Sequence, residues 1–234
     1  MCDDHRLHFS RRGMLMAGAA AWAALPVLPS VAQQNAAPAA LSPDAAIRRL
    51  MDGNGRYVAN SPANKDFSAG RVARVAKQHP FAAILSCADS RVAPELAFDE
   101  GPGELFVVRV AGNFVNDDGL ASLEYGVKFL GIPLIMVLGH TNCGAVDATI
   151  KVLQDKATLP GHLPALVNSI KPAVEVAKKT AAPNLLDAAI TENVRYNVER
   201  LKQAGPILSG FVADGKAKVV GGVYDLASGK VSLV

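Results

Sequence analysis

The sequence holds only three cysteines in 234 residues, Cys2, Cys87 and Cys143. So small a number excludes a disulfide-stapled scaffold and makes the surroundings of each cysteine worth reading. Aromatic residues are 6% of the chain, with a single Trp, and charged residues only 19%. The 24 Lys and Arg stand against 21 Asp and Glu, a formal net charge of +3, and they are scattered without a basic run or interleaved aromatics. Nucleic acid is therefore not an expected partner. Beyond residue 32 no stretch approaches the roughly 20 apolar residues that a spanning helix needs, so no membrane partner is expected once the first segment is removed. What the chain does have is apolar content, 50% of its residues. At this length, that favours one globular domain with a substantial core over disorder.

The first segment has its own order. A basic stretch from Arg6 to Arg12 runs into apolar residues from Met14 to Leu28 and ends in Ser30-Val31-Ala32. Charged region, short apolar region and small-residue site are the layout of an export signal. Ser10-Arg11-Arg12-Gly13-Met14-Leu15 resembles a twin-arginine signal, which implies export of an already folded protein. Retention as an anchor is the competing reading, and Pro26 and Pro29 break the apolar stretch against it. The expectation is a signal at residues 1–32, cleaved after Ala32, a flexible Ala-, Pro- and Gln-rich leader at 33–42, and one domain at 43–234 in the periplasm or otherwise exported.

Within that domain Ser42-Pro43-Asp44 reads as a helix start, Ser at the N-cap and Pro at the first position. Gly53 and Gly55 weaken the second half of this helix, and a further helical stretch is expected over about Ala69 to Gln78, the two forming an arm at 43–78. Apolar runs bounded by turn signals predict strands at Phe81–Ser86, Leu105–Val110, Leu134–Leu138 and Lys218–Tyr224, with a short fifth at Lys230–Leu233. Leu120, Leu123, Val127 and Leu130 share a helical face, a helix opens near Gly144, and two longer ones cover Leu163–Lys179 and Leu185–Gln203. The pattern predicts an α/β fold. Its mostly parallel four-stranded sheet has a short fifth edge strand, helices on both faces and an N-terminal helical arm. Sites in such sheets form beyond the carboxyl ends of the strands.

Two strands run into residues of ligand type there. The first continues as Cys87-Ala88-Asp89-Ser90-Arg91 and the third as Gly139-His140-Thr141-Asn142-Cys143-Gly144. Two thiolates and an imidazole suit tetrahedral zinc and leave the fourth position open, as catalytic sites require. Cys143 at a helix N-terminus gains from the dipole and free N–H groups, which stabilise a thiolate. On count alone, two cysteines in an oxidising compartment favour a disulfide; inert thiols, a satisfied histidine and an ordinary Asp89–Arg91 ion pair are the other bland readings. Each of these is the commoner reading taken singly. All five residues falling in two short loops after apolar strands is the less ordinary coincidence.

Cys-x-Asp-x-Arg followed some fifty residues later by His-x-x-Cys-Gly resembles the β-class carbonic anhydrases. The resemblance extends to Val107-Val108-Arg109-Val110-Ala111-Gly112-Asn113, Glu124-Tyr125-Gly126 and the closing Gly222-Val223-Tyr224-Asp225. It implies reversible hydration of carbon dioxide to bicarbonate and a proton by zinc-bound hydroxide, with one Zn2+ per subunit held by Cys87, His140 and Cys143. It implies that Arg91 holds Asp89 off the metal in the active form, and that Asp89 swings onto it in a closed one. Gln78, Phe106 and Tyr125 match the positions that line the pocket of open-site, plant-like members, and Gly144 would offer a backbone N–H to substrate. For Phe106 and Tyr125 plain core packing is the equal alternative. His79 and His162 do not stand out as proton shuttles. The family's dimers and paired dimers, with a helical arm over the partner, imply a homodimer or dimer of dimers acting on a small molecule. A related zinc hydrolase acting on carbonyl sulfide or carbon disulfide, a non-catalytic zinc-binding protein and a thiol–disulfide protein are the alternative functions.

Overall fold

The computed structural model describes residues 41–63, 66–68 and 70–234. The expected export signal and nearly all of the expected leader lie outside the described residues. Helix α1 (Pro43–Val58) starts as expected, with the Ser42 side chain accepting from the Ala45 N–H at 3.2 Å. It continues through Gly53, where a Cβ would lie 1.9 Å from the Phe98 carbonyl oxygen, so that glycine permits a close approach. The helix expected over about 69–78 is reduced to α2 (Arg71–Arg74), and Gln78 lies in irregular chain. Pro80 explains part of this correction, because the residue before a proline is steered away from helix.

The remaining elements alternate: β1 (Ala82–Ser86), α3 (Pro94–Ala97), β2 (Leu105–Arg109), α4 (Asp117–Leu130), β3 (Leu134–His140), α5 (Gly144–Asp155), α6 (Leu163–Ala177), α7 (Leu185–Lys202), α8 (Ile207–Ala213), β4 (Lys218–Tyr224) and β5 (Val231–Leu233). The sheet order is β2-β1-β3-β4-β5, parallel except for β5, which runs antiparallel to β4 at one edge. Ile84 sits between Val107 and Met136 in register. β1 and β3 are buried along their whole length, whereas edge strand β2 is half-buried.

Alternation along the strands supplies two cores. Ala83, Leu85, Ile135 and Val137 pack with Leu123 and Val127 of α4 and Val194, Val198 and Leu201 of α7. Ala82, Ile84, Leu134, Met136 and Leu138 pack with Ala46 and Leu50 of α1 and with Phe98. The chain leaves β1 toward β2 on one side and returns to β3 on the other. The crevice beyond the carboxyl ends of β1 and β3 is therefore the topological switch point, where open α/β sheets place their sites. No described helix is long and apolar enough to cross a membrane.

Candidate metal centre

Cys87 follows β1 directly, His140 is the last residue of β3, and Cys143 is the N-cap of α5. The sheet thus brings two sequence-distant loops together, and one ligand atom from each of the three residues lies within 4.8 Å of the others. All three are buried, His140 completely, and both cysteines are free thiols. Val146, Ile150, Phe114, Ile170 and Ile190 enclose them in an apolar shell.

Several details fit this set to a metal ion. His140 Nδ1 lies 2.9 Å from the Thr141 carbonyl oxygen, which fixes Nδ1 as the donor and leaves Nε2 with a lone pair. Nε2 is buried without a hydrogen-bond partner. The Gly112 N–H donates to Cys87 Sγ at 3.2 Å, a bond that favours thiolate. Gly112 has φ +86, and a Cβ there would lie 2.5 Å from Ile170 Cδ1, so the approach to sulfur requires glycine. The Cys143 thiol beside Cys87 lowers the Cys87 pKa, and the same contact raises that of Cys143, as expected of two sulfurs sharing one proton. Burial, the largest influence on His140, lowers its pKa, but contact with Cys87, the Thr141 carbonyl and Asp89 outweighs it and the net shift is upward. Positive charge is favoured among these three side chains. A soft divalent cation taking two thiolates and an imidazole answers that demand.

Asp89 borders the cluster, its Oδ2 3.8 Å from His140 Nε2. Arg91 holds it in a bidentate pair, Nε to Oδ1 at 2.9 Å and a terminal nitrogen to Oδ2 at 2.7 Å, and its backbone N–H adds a third bond to Oδ1 at 2.9 Å. The Arg91 contact holds the Asp89 carboxyl well below the usual carboxylate range, so it is an acceptor at any ordinary pH. Gly144 opens α5 with free space on its Cβ side.

The expected pocket residues gather elsewhere. Gln78, Tyr125 and Phe129 line one surface cavity, and the Phe106 and Tyr125 rings are 6.4 Å apart. Phe106 pairs with Ala83 at the amino end of β1, while Cys87 follows the carboxyl end. Four residues of strand separate those levels, about 13 Å. The structure thus brings the three pocket residues together, but apart from the metal ligands of the same chain.

Sequence reasoning assigned no role to Arg109 or Asn193. Arg109 donates to the carbonyl oxygens of Cys87, Asp89 and Val92 at 2.7–2.9 Å. Asn193, fully buried in α7, donates to the Gly112 carbonyl at 2.8 Å. The available signals were a charge closing an apolar strand and an asparagine inside the apolar stripe Ile190–Val194–Leu201.

A family model described as carbonic anhydrase matches residues 82–231. A carbonic anhydrase of Mycolicibacterium smegmatis is 37% identical over 193 residues, covering 82% of this chain and 93% of its own length. Carbonic anhydrase 2 of Mycobacterium tuberculosis is 38% identical over 194 residues with the same coverages. Among solved structures, the Coccomyxa β-carbonic anhydrase in complex with acetazolamide superposes with a TM-score of 0.60 at 31% identity, covering 79% of this chain and 84% of that one.

Proposed function

From the premise that the chain belongs to the β-class carbonic anhydrase family, we propose how its own residues carry out the family's reaction, the reversible hydration of carbon dioxide to bicarbonate and a proton. The observation that carries the assignment is the buried Cys87–His140–Cys143 cluster beside a clamped Asp89. Cys87 Sγ, His140 Nε2 and Cys143 Sγ would hold Zn2+. When bound, zinc supplies a Lewis acid that brings the pKa of a water ligand towards neutrality. Gly112 orients the Cys87 sulfur, and the Thr141 carbonyl keeps His140 in the ligating tautomer.

Asp89 stays anionic because Arg91 occupies both of its carboxylate oxygens. It accepts a hydrogen bond from the reacting water or hydroxide, which orients an oxygen lone pair towards carbon dioxide. The same fork would keep the carboxylate back from a bound metal. Gly144 leaves room for substrate and offers its N–H to a bicarbonate oxygen. Bicarbonate leaves to solvent, and the proton released passes to solvent or buffer.

The active form is inferred to be a homodimer or dimer of dimers. Tyr125 and Phe129 are 48% and 69% exposed, and Val72 and Val75 of the arm are more than four-fifths exposed, an apolar surface that a second copy would cover. Since the Gln78–Phe106–Tyr125 group is remote from its own metal ligands, a partner's wall would complete each pocket. Export by the twin-arginine route rests on Arg11, Arg12 and the apolar stretch behind them. Replacing both arginines by lysine should keep the protein in the cytoplasmic fraction, and unaltered export would remove that route.

Stopped-flow hydration of carbon dioxide, with zinc measured on the same sample, tests the central reading. Fast hydration that is lost on zinc removal and regained on its return is expected. Hydration at the buffer rate in fully zinc-loaded protein, from neutral to alkaline pH, would overturn it.

A further inference from the structure

Cys87, a candidate metal ligand, and Asp89, which borders the ligand cluster, share a loop that lies outside regular structure. The parallel ladder of β1 closes with the Val110 N–H donating to the Ser86 carbonyl and the Ala88 N–H donating to the Val110 carbonyl. Beyond that point the loop carbonyls need other partners. The Asp89 carbonyl accepts from the Val92 N–H at 3.1 Å. Arg109 then supplies three more bonds from one side chain. Its Nε donates to the Cys87 carbonyl at 2.9 Å, and one terminal nitrogen donates to the carbonyls of Asp89 at 2.7 Å and Val92 at 2.8 Å.

We propose that Arg109 is a positioning residue of the metal centre: its guanidinium fixes the path of residues 87–92 and thereby the placement of the Cys87 sulfur relative to the Asp89 carboxylate. Arg109 pairs in register with Ser86, so its backbone stands beside the root of the loop. Among the described residues no carboxylate forms an ion pair with it, and its donors go to main-chain oxygens. A planar fork with several fixed donors is needed to span three carbonyls, which a lysine ammonium on a flexible stem does not reproduce.

The segment that carries Arg109 also grips Cys87 from its other end. Three residues on, the Gly112 N–H reaches Cys87 Sγ, and Asn193 of α7 anchors the Gly112 carbonyl. Cys87 is therefore held at its carbonyl and at its sulfur by one continuous stretch, 109–112. If the Arg109 side is released, the loop can shift and carry the Asp89–Arg91 pair with it, because that pair lies within the same few residues.

The inference rests on the metal reading above, and its test separates the two. In the full chain, Arg109→Met and Arg109→Lys are compared with wild type and with Arg200→Met, which removes another arginine–carbonyl bond, to Val115 at 2.8 Å, away from the loop. The readouts are the rate of zinc transfer to a chromogenic chelator and the visible absorption of the cobalt(II)-substituted protein. Outer partners of metal ligands typically change affinity by about 10–100-fold, so release from Arg109→Met should quicken by about that factor and its cobalt bands should shift. Arg109→Lys should fall between it and wild type, and Arg200→Met should stay within about twofold of wild type whatever its stability. A folded Arg109→Met that keeps wild-type release and wild-type cobalt bands overturns the role of Arg109 alone. If that variant does not fold, Arg109→Lys decides in the same way. A wild-type chain that takes up no zinc overturns the metal reading and this one together.

Discussion

The loops beyond β1 and β3 and the surface around Gln78 and Tyr125 treat their side chains in opposite ways. In the loops, sulfur, imidazole and carboxylate each meet a partner from the same chain: Gly112 for Cys87, Thr141 for His140 and Arg91 for Asp89. Around Gln78 the chain leaves large apolar groups in solvent, Val75 and Phe129 among them. A cation needs fixed ligands whose spacing survives thermal motion, and one chain can supply all three. A wall for a small apolar substrate needs only area, which a second copy can lend. One chain thus supplies all three candidate metal ligands, whereas its exposed apolar surface fits the second copy proposed above.

The largest effect should come from breaking the self-sufficient half. Cys143→Ser should bring zinc content to background and hydration to the buffer rate, with both measured on one preparation. Full zinc occupancy in that variant would remove Cys143 from the ligand set. Next comes Arg91→Ala, which frees Asp89 to approach the metal. Hydration at neutral pH should drop by about 10–100-fold, the range for partners that orient a metal site. Equal activity with wild type across the pH range would remove the role. Arg91 also depresses the Asp89 pKa, so the pair stabilises the fold above the unfolded carboxylate pKa of about 3.9 and that contribution is lost as pH falls towards the lower folded value. Arg91→Ala should therefore flatten the acid side of the stability–pH curve, read by denaturant titration at several pH values below about 5.

A smaller effect is expected where the surface is borrowed. Phe129→Ser together with Tyr125→Ser should shift sedimentation towards smaller species and lower hydration in step with dissociation. Zinc content should hold, and monomer stability should move within about 0.5 kcal/mol, since both side chains are surface groups. A double variant that sediments as wild type and hydrates at the wild-type rate would break the contrast between the two regions.

The two halves were also unequally legible in the sequence. Cys87, His140 and Cys143 were readable because residue type carries the chemistry and each follows an apolar strand signal. β3 runs through His140, two residues past the expected Leu138, because Gly139 and His140 still find partners in β4 at Val223 and Tyr224. Parallel pairing of that kind is a tertiary fact. α3 and α8 were missed because four and seven residues are too short to show a helical period. Arg109 was marked only as a charge closing an apolar strand, and its role stayed hidden for another reason. Its donors go to main-chain oxygens, which no residue type announces. Gly53 was read as a weakness in α1, when its missing side chain is what admits the Phe98 carbonyl. The arm was overread at 69–78: helix forms only over Arg71–Arg74, and Val72 and Val75 stand exposed in the single chain.

α1 lines neither region, and Asn54 tests whether that helix serves the framework alone. Its buried side chain donates to the carbonyls of Ala97 at 2.9 Å and Gly229 at 2.8 Å and accepts from the Val231 N–H at 2.8 Å. One residue thus ties α1 to the end of α3 and to the β4–β5 turn, far from the exposed patch in contact terms. Asn54→Ala strands three buried main-chain groups, so unfolding should be easier by about 2–4 kcal/mol by denaturant titration. Zinc release and hydration of the folded fraction should stay within about twofold of wild type, because none of those three groups touches a ligand loop. A variant that keeps its stability would place Asn54 outside the braced framework. One that loses zinc at unchanged stability would tie α1 to the metal loops.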